Sequence, residues 1–242
     1  MKRYLSILSF LLLSAAQADA QFTFEGKITY ERKANVHKLM GDDEWASQWK
    51  DKVAKFQLNT FEMEFTMDNS FYKPGKETEA PKMNWMAPPG AENEVFMDFK
   101  TNTVTASKQI YEQKFLIQDS MRKLKWHYTD ELRIIAGYKC RKAVSVICDS
   151  VYIVAFYTED IPVSGGPEQF GGLPGMILEL AVPRLFTTWV ATQVIVQTVK
   201  NPAEPPFSKG KKVKRSEMVV LLQKALKDWG KYGTRNVWWS SL

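Results

Sequence analysis

From Phe61 to Asp68 the chain alternates without a break: Phe61, Met63, Phe65 and Met67 are large and apolar, while Glu62, Glu64, Thr66 and Asp68 are polar. Side chains of an extended strand point to opposite faces in turn, so this run must bury one face and wet the other. A helix cannot use that period. Strand-like runs recur at 22–33, 70–73, 94–99, 103–107, 111–118, 123–128, 132–147, 151–158, 176–182 and 187–199. Their close spacing favours antiparallel meanders. The expected fold is mainly β: a single curved antiparallel sheet or partly open barrel, with a helical insertion and a C-terminal amphipathic helix.

Two segments carry a helical period instead. In 42–56, Trp45, Trp49 and Val53 fall four apart and share one helical face. In 216–230, Met218, Leu221, Leu222, Ala225, Leu226 and Trp229 form an apolar stripe, with Ser216 placed to cap the start and Gly230 to stop the end. The organisation that follows is a leader over 1–20, an antiparallel β domain over 21–200, a Pro- and Lys-rich linker over 201–215, a helix over 216–230 and a tail over 231–242.

The leader has the form of a secretory signal peptide. Lys2 and Arg3 precede the apolar run from Tyr4 to Ala16, and Ala18, Asp19 and Ala20 supply a small-residue cleavage pattern. The protein is therefore expected to be exported, to the periplasm or the outer membrane. Cleavage before Gln21 removes two bases and one acid from a formal charge of +6, leaving +5. An excess that modest on an exported chain excludes nucleic acid as a partner. The run from Lys209 to Arg215 is ordinarily a solvated linker, with peripheral contact to anionic headgroups through 209–215 as the sharper alternative. Cys140 and Cys148 are eight positions apart, about 26 Å along one strand and beyond disulfide reach, so two unpaired thiols are expected.

Catalytic patterns are scarce. His37 and His127 are the only histidines, and neither a Cys-x-x-Cys nor a His-Glu-x-x-His spacing occurs, so no metal and no cofactor are implied. Ser164 lacks the Gly-x-Ser-x-Gly elbow of a serine hydrolase. A hydrolase using His127 with Cys140 or Ser164 is the second-ranked function, and a small outer-membrane β-barrel the third. First stands a non-catalytic module binding an apolar ligand, lipid, peptide or envelope protein. Its candidate ligand-binding residues are the rings of Trp126, Tyr128, Tyr138, Tyr152 and Tyr157, and core packing explains the same rings equally well.

Between Pro162 and Gly175 five glycines and three prolines describe a specific backbone path. Gly166, Pro167, Gly172, Leu173, Pro174 and Gly175 are read as its structural signature, with Ile177 and Leu178 starting the next strand. These residues, with Ile135 to Ala143, Phe156 to Thr158 and Ile161-Pro162, resemble the GLPGLI family of exported Bacteroidetes proteins over residues 134–180. Met176 is a conservative departure from that family's Gly-Leu-Pro-Gly-Leu-Ile. The stretch Val146-Ile147-Cys148-Asp149-Ser150 is another, standing where the family carries a more polar, glycine-bearing turn. The resemblance implies an exported, β-rich envelope protein, in a family whose biochemical role is not established.

Overall fold

The computed structural model describes residues 22–42, 44–76, 89–200 and 202–242, so the leader lies outside the described residues. Twelve strands form one sheet: β1 (Gly26–Asn35), β2 (Phe56–Phe65), β3 (Asn69–Pro74), β4 (Glu94–Asp98), β5 (Thr103–Ile110), β6 (Gln113–Ser120), β7 (His127–Ile135), β8 (Tyr138–Ile147), β9 (Val151–Thr158), β10 (Met176–Val182), β11 (Thr187–Val196) and β12 (Lys211–Val213). Their order is β12-β6-β5-β4-β3-β2-β1-β11-β10-β9-β8-β7. Two meanders, β1 to β6 and β7 to β11, therefore meet where β11 pairs with β1. Pairing is antiparallel throughout except for β12 on β6. Short connections impose this, because a parallel neighbour needs a long crossover.

The sheet coils but does not close. Arg133 of β7 bonds Glu179 of β10 at 3.1 Å, although a flat sheet would hold strands three apart at about 14 Å. The terminal strands β7 and β12 nevertheless stand at opposite ends of the order. A closed outer-membrane barrel is thereby overturned. Among the described residues no helix is long and apolar enough to cross a membrane.

Alternation places the core as expected. Ile28, Tyr30 and Ala34 of β1 and Phe61, Met63 and Phe65 of β2 are buried on one face, and their register sets Ile28 opposite Met63 and Tyr30 opposite Phe61. The run 132–147, expected as one strand, is two. Ala136 (φ 48°) and Gly137 (φ 88°) reverse the chain between β7 and β8, and two successive left-handed residues make the hairpin turn whose twist suits the strands it joins. Cys148 (φ 49°) and Asp149 (φ 61°) do the same between β8 and β9 without a glycine. Both cysteines are free, Cys140 buried and Cys148 exposed; burial pushes the Cys140 thiol up to about 12.

The insertion is split into α1 (Val36–Met40) and α2 (Glu44–Lys50), so it begins earlier and ends sooner than 42–56. Asn35 caps α1 by accepting from the Lys38 amide at 3.1 Å. Trp49 and Val53 pack on Val36, Met40 and Ala46 in a small satellite core; the side chain of Trp45 lies outside the described residues. The end of the chain departs further. Helix α3 covers Arg215–Ala225, and its cap is Lys214 in place of Ser216, the Lys214 amide donating to Glu217 at 2.9 Å. After one 3-10 turn, α4 (Gly230–Ser241) occupies the expected tail. A Cβ on Gly233 would stand 2.3 Å from the Leu226 carbonyl, so its hydrogen is what lets α4 fold back on α3. Val237, Trp239 and Leu242 then join Met218, Leu222 and Leu226 in the main core. The basic run is likewise only partly solvated: Lys211–Val213 pairs with Phe115, Leu116 and Ile117, because burying Val213 and completing the bonds of β6 outweigh hydration of the backbone.

Candidate functional site: the glycine-proline loop and the polar core beneath it

Three of the five candidate rings gather at the loop joining β9 to β10. Tyr128 and Tyr157 meet edge to face, with centroids 6.1 Å apart, and the Trp126 indole donates to the Gly171 carbonyl at 3.1 Å. Tyr157 donates to Glu159 at 3.4 Å; burial first, and then the Glu159 charge, hold its phenol above the ordinary range. The remaining two stand apart. Tyr138, at the start of β8, leans on the core. Tyr152 is 60% exposed and, five residues from Tyr157 on one strand, faces the opposite way.

The hydrolase residues are dispersed. His127 lies opposite Val144 while Cys140 lies opposite Arg133, a separation along β8 of about 13 Å for four residues. Cys140 is buried and His127 exposed. Ser164 Oγ accepts from the Gly172 amide at 2.9 Å, within the loop itself. Among the described residues no group of three His, Cys, Asp or Glu side chains is placed to hold a metal.

The loop is held by backbone. Met176 N donates to the Ile161 carbonyl (3.0 Å), Ile177 N to Gly165 (2.9 Å) and Thr23 N to Asp160 (2.8 Å). At Gly175 the chain passes so close to β9 that a Cβ would stand 2.0 Å from the Thr158 carbonyl oxygen. Leu173 and Phe170 are buried in the main core, so the loop is a packed lid over the sheet.

Under this lid lies a polar cluster that the sequence reading did not single out. Glu168, 1% exposed and at φ 56°, accepts from Asn93 Nδ2 at 2.8 Å and faces Lys108 Nζ of β5 at 3.8 Å. Lys108 also donates to the Ser240 carbonyl of α4 at 3.4 Å. Arg32 of β1, fully buried, donates to Asn59 (2.6 Å) and to the Pro89 carbonyl (2.7 Å), and its guanidinium lies 5.4 Å from Phe61 and 5.6 Å from Trp239. A signal for these cations existed. Arg32 follows Ile28 and Tyr30, and Lys108 follows Val104 and Ala106, on the inward phase of their strands; a charge on a buried phase must find a partner or lose its proton.

Burial, opposed by Glu168 and reinforced by Arg122 and Arg215, brings the Lys108 ammonium down to about 8. The unfolded chain holds that proton up to about pH 10.4. Between those limits unfolding takes up a proton, so stability rises with pH, by up to about 3 kcal/mol. Above pH 10 the gain is opposed, since burial raises the phenols of Tyr30 and Tyr72 and the unfolded chain ionises its tyrosines first. Urea midpoints measured from pH 7 to 10 are expected to climb, and to climb less in Lys108→Met. Equal slopes for the two proteins would show that Lys108 is not the group responsible.

With this geometry in hand, likeness to other proteins can be placed on it. A family model described as "Protein of unknown function (Porph_ging)" matches residues 144–179. That stretch is the end of β8, all of β9, the loop and most of β10. No curated protein matches the chain. Among solved structures, "Structure of PNGF-II in P21 space group" is similar with a TM-score of 0.54 and 19% identity, over 84% of this chain and 34% of that one. The structure of PNGF-II in the C2 space group gives 0.52 and 19%, over 90% and 33%. At that identity the likeness shows the fold alone. The chain spans about a third of the length of the PNGF-II chains it matches.

Proposed function

We propose that this is an exported cell-envelope protein, akin to the GLPGLI family, that binds and does not catalyse, and that its partner is an extended segment of another envelope protein laid along β7. The observation that carries this reading is the outer edge of the sheet. Strand β7 pairs with β8 alone among the described residues, and it presents Ile134 at 72% and Leu132 and Tyr128 at 52% exposure. An unpaired edge supplies backbone donors and acceptors to an added strand, and apolar side chains of alternate residues give it selectivity. The bulge between Tyr128 and Leu132 interrupts the edge, so the segment docks on Leu132 to Ile135. Dispersal of His127, Cys140 and Ser164 supports binding over hydrolysis. Exposed Lys209, Lys211 and Lys212 would rest the module against anionic headgroups.

A photo-crosslinking amino acid at position 134, introduced in cells of the native host, tests this. A discrete protein adduct is expected there and not from position 220, where Val220 is a largely exposed apolar site on α3. No adduct from 134, or the same adducts from both positions, would remove the reading.

A further inference from the structure

The segment 215–229 is apolar on two sides. Met218, Leu222 and Leu226 turn one side into the main core. Val220, Leu221 and Ala225 stay exposed on the other, and the 3-10 turn after α3 leaves Trp229 half exposed. A helix laid on a sheet needs one apolar stripe, so packing within the fold gives no reason for the second. That second side is continuous with two other elements. Trp229 meets Tyr111 of the β5–β6 turn edge to face, with centroids 5.4 Å apart, and Tyr111 is half exposed as well. A groove of about 540 Å³ between β12 and α3 has Lys211, Lys212, Val220 and Leu221 in its lining. Gly210, which leads into β12, runs so close to β6 that a Cβ on it would stand 3.1 Å from the Lys114 carbonyl oxygen. One surface therefore extends from the β5–β6 turn across β12 and along α3.

Positive charge surrounds these apolar groups. Lys114, Lys209, Lys211, Lys212, Lys224 and Lys227 are exposed, and none of them is ion-paired among the described residues. Glu112, Glu217 and Asp228 are the acids among them, so cations outnumber anions two to one. A protein partner would have to strip water from those ammoniums, and lysine is depleted from protein interfaces for that reason. An anionic bilayer takes both kinds of group at once. Ammoniums stay in the headgroup layer on flexible stems, while tryptophan, tyrosine and aliphatic side chains settle at the boundary with the acyl chains.

We propose that this surface docks on an anionic phospholipid bilayer, with Tyr111, Val220, Leu221 and Trp229 reaching the acyl boundary and the lysines gathering anionic headgroups around them. The inference rests on the headgroup contact proposed above for Lys209, Lys211 and Lys212, and adds an apolar insertion that charge alone does not imply. It requires no segment at β7.

The test is flotation of the exported protein with vesicles of phosphatidylcholine containing about one third phosphatidylglycerol, and with vesicles of phosphatidylcholine alone. Binding to the anionic vesicles is expected to be at least about tenfold the tighter. Lys209→Gln, Lys211→Gln and Lys212→Gln together are expected to weaken it about a hundredfold, at about fivefold for each charge. Val220→Ser with Trp229→Ser keeps every charge and replaces only exposed side chains, so the protein folds, and a loss of at least about tenfold is expected. Brominated acyl chains are expected to quench the tryptophan fluorescence of the wild-type protein more than that of Trp229→Phe. If the serine variant binds as tightly as the wild type, the insertion is overturned and the lysine contact stands. If neither vesicle binds, or both bind alike, the insertion and the lysine contact fall together. The adduct at position 134 is indifferent to each of these outcomes.

Discussion

Replacing Gly175 by alanine is expected to cost about 4 kcal/mol, which for a chain of this size lowers Tm by roughly 10 °C. The added methyl would meet the Thr158 carbonyl oxygen at 2.0 Å, its carbon at 2.7 Å and the Glu159 Cα at 3.1 Å. All three are backbone, so no side chain can swing aside. Relief requires β10 to move away from β9, and that strains the bonds by which Met176 and Ile177 tie the loop to the sheet. Gly137→Ala supplies the comparison. Its Cβ would meet nothing within 4 Å, but its φ is 88°, so it suffers backbone strain alone, on the order of 1 kcal/mol. Thermal or urea unfolding that placed Gly175→Ala as near to wild type as Gly137→Ala would show that the close approach carries no weight.

The second large effect belongs to Glu168. Glu168→Ala leaves Lys108 buried without a carboxylate and strands the Asn93 amide, and breaking one side of a buried pair costs about 3–5 kcal/mol. Lys108→Met alone uncovers the opposite charge and is expected to destabilise by a similar amount. Together the two substitutions remove both charges, which takes away the penalty of an unpaired buried charge and leaves chiefly the cavity that alanine opens. Glu168→Ala with Lys108→Met should thus recover most of the loss, giving a coupling of about 2–3 kcal/mol in a double-mutant cycle. If the single losses simply add, Glu168 and Lys108 do not act as a pair, and the polar core beneath the loop is a set of separate contacts.

Much of this architecture was legible in the chain. The inward phase of β2 is the run Phe61, Met63, Phe65, and a single buried face was enough to imply antiparallel neighbours and a mainly β fold. Where a turn was brief the reading failed. Ala136 and Gly137 occupy two positions of the stretch read as a single strand over 132–147, so the apolar rhythm continues through the reversal and one strand reads as plausibly as two. The C-terminal helix failed differently. Gly230 looks like a stop, but its positive φ turns the chain into α4, and the missing Cβ of Gly233 is what lets α4 lie against α3, a use visible only when the neighbour is present. The candidate rings divided for a similar reason. Tyr128 and Tyr157 are 29 positions apart and meet because hairpins bring β7, β8 and β9 side by side, whereas Tyr152 and Tyr157, closer in sequence, point to opposite faces.

By itself the chain determined its secondary structure class and the buried face of its clearest strands, since these follow from local periodicity that a segment carries with it. Only the tertiary structure decided that Glu168, Lys108, Arg32, Arg122 and the end of α4 share one interior, and that β7 is left as an edge. Those are contacts between segments up to about two hundred residues apart, such as Arg32 with Trp239, and a one-dimensional pattern holds no distance between them.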